Sequence, residues 1–528
     1  MTTVRQWFKA QGWIPQAFQK DCWKAYGEGK NGMLHAPTGS GKTFALWGGI
    51  LQEALKTKKH PVGIQVLWIT PLRALAVEIQ QATQRMTSEL HPDLNIALRT
   101  GDTSQSERAK QKRKPSFGLV TTPESLHVLL STKDHPKNFQ HLKVIVVDEW
   151  HELLGTKRGV QVELAIAYLR SFLPELKVWG ISATLGNKDL AREILLGPIE
   201  NYVTVNAQIK KKIKVKSILP KNMESFPWRG HLGIHLLPQV LKLVQKNKTT
   251  LIFTNTRAQC EIWFHRLLEA DPNLAGSIAM HHGSIDKKIR LWVEDALRQE
   301  QLKVVVCTSS LDLGVDFSPV ENCVQIGSPK GVGRFIQRAG RSGHRPKAVS
   351  TIHFLPTHAM ELIESVALQR GIEQQQIEDR IPFLNSYDVL LQFLMTLAVG
   401  KGFQPKELFP ILQNTFCFQT LDEERWQWLL NSLVKGSQSL EHYDEYKKVN
   451  VLEDGTLQVL NKGIAMRHRL SMGTIVSDAN LKIRYQKGGY LGTVEEWFVA
   501  KLKPGDVFTF SGRNLELIRM HNMEVIVR

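Results

Sequence analysis

The octapeptide Ala36-Pro37-Thr38-Gly39-Ser40-Gly41-Lys42-Thr43 constrains the fold most, because it needs a strand before it and a helix after it. Its glycines let backbone N–H groups close around the phosphates of a nucleotide. Lys42 then reaches the β- and γ-phosphates, and the Thr43 hydroxyl faces Mg²⁺. About a hundred residues later the apolar run Val144-Ile145-Val146-Val147 ends in Asp148-Glu149-Trp150-His151. Asp148 is thereby expected at the C-terminal end of a buried strand, where an α/β sheet presents its ligand-contacting groups. There Asp148 can hold Mg²⁺ while Glu149 orients or deprotonates the attacking water.

The surrounding pattern agrees. Met33-Leu34-His35, Val66 to Ile69, Leu119-Val120, Val144 to Val147 and Val178 to Ile181 read as strands, each followed by a polar or glycine-bearing loop and a helix-like segment. That order predicts a doubly wound parallel sheet. Lys210 to Lys216 alternates basic and apolar residues, as a linker or an edge strand would. The strand–helix rhythm then restarts at Leu251-Ile252-Phe253, Ile278 to Met280, Val304 to Val306, Val324 to Ile326 and Thr351 to Phe354, without a second phosphate loop. From about residue 371 helices take over. Ser386 is an N-cap candidate for Tyr387 to Val399, Pro405 suits the first turn of a helix to Gln413, and Thr420 with Glu423 has capping-box spacing before a helix to Lys435, closed by Gly436. Asp454-Gly455 is a hairpin turn, and three helices followed by a hairpin is the order of a winged helix. The last 50 residues are strand-like, with turns at Gly488-Gly489, Pro504-Gly505 and Asn522, and Val525-Ile526-Val527 reads as a core strand.

Charge points to a polyanionic partner. Lys and Arg number 68 against 50 Asp and Glu, a net charge of +18, and phosphate neutralisation with counterion release drives non-specific nucleic-acid binding. Cys22, Cys260, Cys307, Cys323 and Cys417 show no C-x-x-C pair, so neither a zinc site nor a disulfide framework is expected. With no apolar leader and no run long enough to span a bilayer, a cytoplasmic protein is expected.

Further signatures follow in a fixed order, and together they resemble a superfamily 2 helicase. Gln19 resembles the adenine-reading glutamine upstream of the phosphate loop. Thr70-Pro71-Leu72-Arg73, Thr100-Gly101-Asp102 and Thr122-Pro123 resemble the motifs that line the nucleic-acid track. Ser182-Ala183-Thr184 resembles motif III, which couples hydrolysis to domain movement. Thr254-Asn255-Thr256-Arg257 resembles motif IV. Thr308-Ser309-Ser310-Leu311-Asp312-Leu313-Gly314-Val315-Asp316 resembles motif V, touching both strand and nucleotide. Gln337-Arg338-Ala339-Gly340-Arg341-Ser342-Gly343-His344 resembles motif VI, with Arg341 as the arginine finger and Arg338 supporting it. His344 stands where many relatives carry a second arginine, which leaves Arg345 or Arg338 for the second phosphate-contacting cation.

The acidic motif in its Asp-Glu-Trp-His form points to the translocating DExH branch. His281-His282-Gly283-Ser284, Arg467 to Asp478 and Pro504-Gly505-Asp506 narrow the resemblance to Lhr-type helicases, in particular the bacterial ligase-associated DExH-box subgroup. The resemblance implies RecA-like domains over 1–205 and 206–370, a winged helix over 371–463 and the start of a β-rich domain over 464–528. It implies ATP bound between the RecA-like domains with Mg²⁺ as cofactor, and 3′→5′ movement on single-stranded DNA. It also implies unwinding of duplex DNA or RNA–DNA hybrid, in DNA repair beside a ligase and a nuclease. Because such relatives continue past the residue matching Arg528, an incomplete β-rich domain is expected. Phosphate tracking alone leaves open an RNA remodeller with the same engine.

Overall fold

The computed structural model describes residues 3–37, 39–183, 185–209, 213–219, 232–312, 320–342, 349–435, 448–473, 480–486, 488–499, 502–510, 512–521 and 524–528. Thr38, Thr184, Gly314, Asp316, His344, Arg345, Gly436 and Asn522 lie outside them. The chain divides into two bodies, each built from two separate stretches: 1–209 with 379–477, and 210–378 with 478–528.

In the first body seven described strands form one parallel sheet: β1 (Asn31–His35), β2 (Val66–Ile69), β3 (Ile96–Arg99), β4 (Gly118–Thr121), β5 (Val144–Val147), β6 (Lys177–Ser182) and β7 (Tyr202–Asn206). Their spatial order is β3-β4-β2-β5-β6-β1-β7. The central strands β2, β4 and β5 are buried on both faces, which is why they read as unbroken apolar runs. The outer strands β3 and β7 are half-exposed and carry no such run.

The helices Tyr387–Val399, Pro405–Gln413 and Glu423–Lys435 and the hairpin β14 (Asn450–Val451) with β15 (Leu457–Gln458) form the winged helix of the same body. Phe393, Leu394 and Leu397 share one apolar cluster with Leu126, Leu130, Val162 and Ile166 of the sheet domain. The helix Lys462–Leu470 joins them: Arg469 donates to the Ser131 carbonyl at 2.7 Å, and His468 Nε2 lies 2.9 Å from Thr396 Oγ1. The boundary expected between 463 and 464 therefore falls inside a helix.

One local expectation is corrected. The helix Glu423–Lys435 is capped by Asp422, whose Oδ1 accepts from Arg425 N at 2.8 Å, whereas Thr420 turns away to Asn385. The basic stretch Arg108 to Arg113 is helical, within Gln105–Arg113. Trp426 is core, stacked on Phe409 at 5.5 Å, and Trp428 is exposed.

In the second body β8 (Ile213–Ser217), β9 (Thr250–Phe253), β10 (Ile278–His281), β11 (Val304–Cys307), β12 (Asn322–Ile326) and β13 (Ser350–Leu355) form a second parallel sheet, ordered β10-β11-β9-β12-β13-β8. The basic alternating stretch thus supplies an edge strand. The same body carries a β-rich sheet of β16 (Asn480–Tyr485), β17 (Tyr490–Glu495), β18 (Val507–Phe510), β19 (Arg513–His521) and β20 (Glu524–Val527), ordered β17-β16-β20-β19-β18. Among the described residues no helix is long and apolar enough to cross a membrane.

Candidate active site

The loop after β1 turns through left-handed glycines, Gly39 at φ 77° and Gly41 at φ 84°, and Gly41 caps the helix Lys42–Lys56. A helix that begins on left-handed glycines points its free N–H groups outward, as an anion site requires. Gln19 closes on this loop from below. Its Nε2 donates to the Gly41 carbonyl at 3.1 Å and its Oε1 accepts from Gln16 N at 2.9 Å. The side chain expected to read adenine is tied to the phosphate loop itself.

Lys42 is buried and its Nζ lies 2.6 Å from Glu149 Oε1. Glu149 sits just past β5 in a left-handed conformation, φ 45°, which a non-glycine residue adopts only when its surroundings hold it there. Asp148 holds its own surroundings: Oδ1 accepts from Glu149 N at 2.8 Å, and Oδ2 accepts from Trp68 Nε1 at 3.3 Å. Burial and the neighbouring Glu149 charge push the Asp148 carboxyl well above the usual range. Two buried carboxylates facing one lysine make a donor set short of positive charge. A divalent cation held by Asp148 and the half-buried Thr43 fits that deficit.

His151, one helical turn on, is buried and its pKa is lowered by desolvation. Its Nδ1 lies 3.2 Å from Ser182 Oγ and 3.4 Å from Glu149 Oε2. Ser182 ends β6, and Ala183 follows it half-buried. The acidic motif and motif III are thus joined by one imidazole.

The track motifs line up along the same sheet end of the first body. Arg73 begins the helix Arg73–Leu90, next to buried Pro71, and its Nη1 donates to Asp102 Oδ1 at 2.7 Å. The turn Thr100-Gly101-Asp102 is held by Arg108, whose Nη2 donates to the Thr100 and Gly101 carbonyls at 3.3 Å. Thr122 caps the helix Pro123–Leu130 with Pro123 in its first turn.

In the second body Thr254 Oγ1 donates to the Cys307 carbonyl at 3.1 Å, and Asn255 Nδ2 to the Ser328 carbonyl at 2.7 Å. Arg257 opens the helix Arg257–Ala270. Thr308 is half-buried and Ser309 exposed. Arg338 is 1% exposed, forks onto both Asp312 oxygens at 2.8 and 3.1 Å, reaches Gln325 Oε1 at 2.5 Å and lies over the Phe253 ring at 4.9 Å. A guanidinium committed to a buried carboxylate in this way holds its own motif in place. Arg341 donates to the Asp312 main-chain carbonyl at 2.7 and 3.2 Å. Trp68, Asp312 and Gln325 escaped the sequence reading as site residues. A tryptophan inside the buried run Val66 to Ile69 was the available signal, since its N–H needs a partner.

Residues 16–192 match a DEAD/DEAH box helicase model, and residues 233–345 match a helicase conserved C-terminal domain model. Residues 370–528 match the winged helix domain of large helicase-related protein. The chain belongs to the Lhr family of superfamily 2 helicases. ATP-dependent helicase Lhr-Core of Sulfolobus acidocaldarius is 31% identical over 99% of this chain and 61% of its own length. Its Thermococcus barophilus counterpart, Lhr-Core protein 2, is 30% identical, with 99% and 63% covered. This chain therefore spans about three-fifths of the length of the curated Lhr relatives it matches. The solved structure of Mycobacterium smegmatis helicase Lhr bound to ssDNA and AMP-PNP superposes with a TM-score of 0.78 at 28% identity, over 90% of this chain and 62% of that one. The helicase MrfA bound to DNA and AMPPNP shares the fold, with a TM-score of 0.78 at 19% identity over 99% of this chain and 71% of that one.

Proposed function

We propose that this Lhr-family chain is an ATP-driven translocase on single-stranded DNA that moves 3′→5′ and separates duplex DNA or RNA–DNA hybrid. The observation that carries the reading is the buried Lys42–Glu149 pair beside Asp148, set directly behind a left-handed glycine loop. The Lhr helicase of Mycobacterium smegmatis, solved with ssDNA and AMP-PNP, supports the choice of ligands.

In this reading the loop from Gly39 to Gly41 holds phosphates by backbone N–H groups, and Lys42 exchanges its Glu149 contact for the β- and γ-phosphates. Glu149, once released, accepts a proton from the attacking water. Thr43 and Asp148 would hold Mg²⁺, which would supply positive charge against that developing on the phosphoryl oxygens. His151 carries the state of Glu149 to Ser182 at the start of motif III. Arg341 supplies the finger, and Arg338 fixes the loop that presents it. Arg73 and the backbone of the Thr100 and Thr122 turns grip phosphates, so binding is sequence-independent. A role in DNA repair beside a ligase and a nuclease belongs to the same proposal and rests on the family likeness.

The test is ATP hydrolysis without nucleic acid, with single-stranded DNA and with matched RNA, using Lys42→Ala as the blank. Strong stimulation by DNA, lost in Lys42→Ala, is expected. Unwinding should then require a 3′ overhang. Equal stimulation by RNA replaces the DNA reading with an RNA remodeller, and hydrolysis that survives Lys42→Ala removes the assigned site.

A further inference from the structure

Two adjacent buried histidines in the second body do work that the hydrolysis site does not account for. His281 ends β10 and is 1% exposed. Its Nε2 lies 3.2 Å from Glu294 Oε1, on the helix Lys287–Arg298, and its Nδ1 lies 2.7 Å from the Ser310 hydroxyl of motif V. The carboxylate favours a proton on Nε2, and the Ser310 hydroxyl, with one proton to give, faces both Nδ1 and the His281 carbonyl. The main chain repeats the link: the His281 carbonyl lies 2.9 Å from the Ser310 hydroxyl and accepts from Thr308 N at 3.2 Å. Asp312 N in turn donates to the Ser309 carbonyl at 3.1 Å, and Asp312 anchors both Arg338 and Arg341.

The other end of the same segment touches the β-rich sheet. Ile285 forms an antiparallel bridge with Gly492 of β17, and Thr493 N donates to the Ser284 carbonyl at 3.3 Å. Gly492 has φ 152°, and a Cβ there would stand 1.9 Å from the Ser284 oxygen. Only glycine lets the two backbones approach this closely. His282 Nε2 lies 3.6 Å from Glu261 Oε1, while Glu261 Oε2 accepts from Gly512 N at 3.4 Å, at the turn joining β18 and β19.

We propose that residues 281–285 form a relay that fixes motif V to the β-rich sheet, with His281 as the positioning residue for Ser310 and, through Asp312, for the motif VI arginines. The β-rich sheet is then part of the hydrolysis apparatus. The kinetic consequence rests on the function proposed above; the positional one does not.

The full-length chain tests both. Hydrogen exchange over residues 304–312 reads the relay directly, and single-strand-stimulated hydrolysis reads its consequence. Gly492→Ala, His281→Phe and Glu294→Leu are each expected to raise exchange over 304–312 about five-fold. Each should also lower stimulated kcat about ten-fold while the KM for ATP stays within about two-fold. Glu294→Gln, whose carbonyl still accepts from Nε2, should behave like the parent. If Gly492→Ala raises exchange over 490–495 and leaves 304–312 unchanged, the relay is wrong. The same holds if His281→Phe folds and leaves 304–312 unchanged. Should Gly492→Ala fail to fold, His281→Phe and Glu294→Leu carry the test. A parent chain that hydrolyses no ATP would overturn the function and leave the exchange result to decide the relay.

Discussion

Arg338 and Arg341 are near neighbours on motif VI and meet the same residue in different ways, which separates structure from chemistry at the level of single side chains. Arg338 forks onto the buried Asp312 carboxylate, so Arg338→Ala leaves that charge with the more distant Arg334 at 3.7 Å. A loss of about 3 kcal/mol in stability, the lower end for breaking a buried pair, is expected, read by urea unfolding of the second body. Arg341 meets Asp312 through the main-chain carbonyl. A bond to a neutral carbonyl costs less to lose than one to a carboxylate, so Arg341→Ala should cost stability less and lower stimulated hydrolysis by about three orders of magnitude. A reversed pattern, with Arg338 silent in unfolding, would exchange the two roles. Glu163 supplies a second test at this scale. It is buried on the helix Lys157–Phe172, where its Oε2 accepts from Cys417 N at 3.2 Å, and burial pushes its carboxyl up to about 8. The folded chain therefore keeps a proton that the unfolded chain releases near its ordinary 4.5. Stability falls by about 1.4 kcal/mol per pH unit between these values and levels off above the upper one. Glu163→Gln should remove that slope. Its advantage over the parent, measured by urea unfolding, should be small at pH 5 and large at pH 8; a difference independent of pH would refute the assignment.

Helices and strands show which signals a sequence carries and which it hides. Asp422 caps the helix Glu423–Lys435 although Thr420 has the textual spacing, because Thr420 is drawn off by Asn385 on a segment 35 residues away in sequence. Asp422→Ala should cost about 1 kcal/mol by thermal unfolding, and Thr420→Ala about half of that or less. The buried central strands β2, β4 and β5 were legible because both faces are apolar. The edge strands β3 and β7 were not, since each buries one residue fully and Arg99 and Asn206 end them in polar positions. The site followed the same logic. Residues fixed by chain-local geometry, such as Gly41, Lys42 and Asp148, could be placed from spacing alone. Contacts between elements far apart in sequence, such as Trp68 with Asp148 or Asp312 with Arg338, could not. For that reason the sequence leaves Arg338 beside Arg345 for the second phosphate-contacting cation: nothing in Gln337-Arg338-Ala339-Gly340-Arg341 reveals which guanidinium forks onto the Asp312 carboxylate.

Each body of the molecule closes a chain that leaves and returns, so the winged helix shares a core with the first sheet and the β-rich sheet is joined to the second. Neither addition hangs from its sheet domain as an independent arm. Among the basic residues behind the net charge of +18, Arg73 is exposed and the helix Gln105–Arg113 buries none of its side chains. Binding that neutralises backbone phosphates must release condensed counterions, whatever the base sequence. For about six phosphates held, single-strand affinity should fall by about two and a half orders of magnitude between 50 and 200 mM salt. Homopolymer and mixed-sequence strands of equal length should lie on parallel lines in a log–log plot, measured by fluorescence anisotropy. Arg73→Ala should shallow the slope by roughly one contact while affecting all sequences alike. The KM for ATP should respond far less to salt, because Lys42 and its carboxylates are buried where screening is weak. A slope near zero would mean that bases, not phosphates, hold the strand, and would replace phosphate tracking with base stacking as the source of grip.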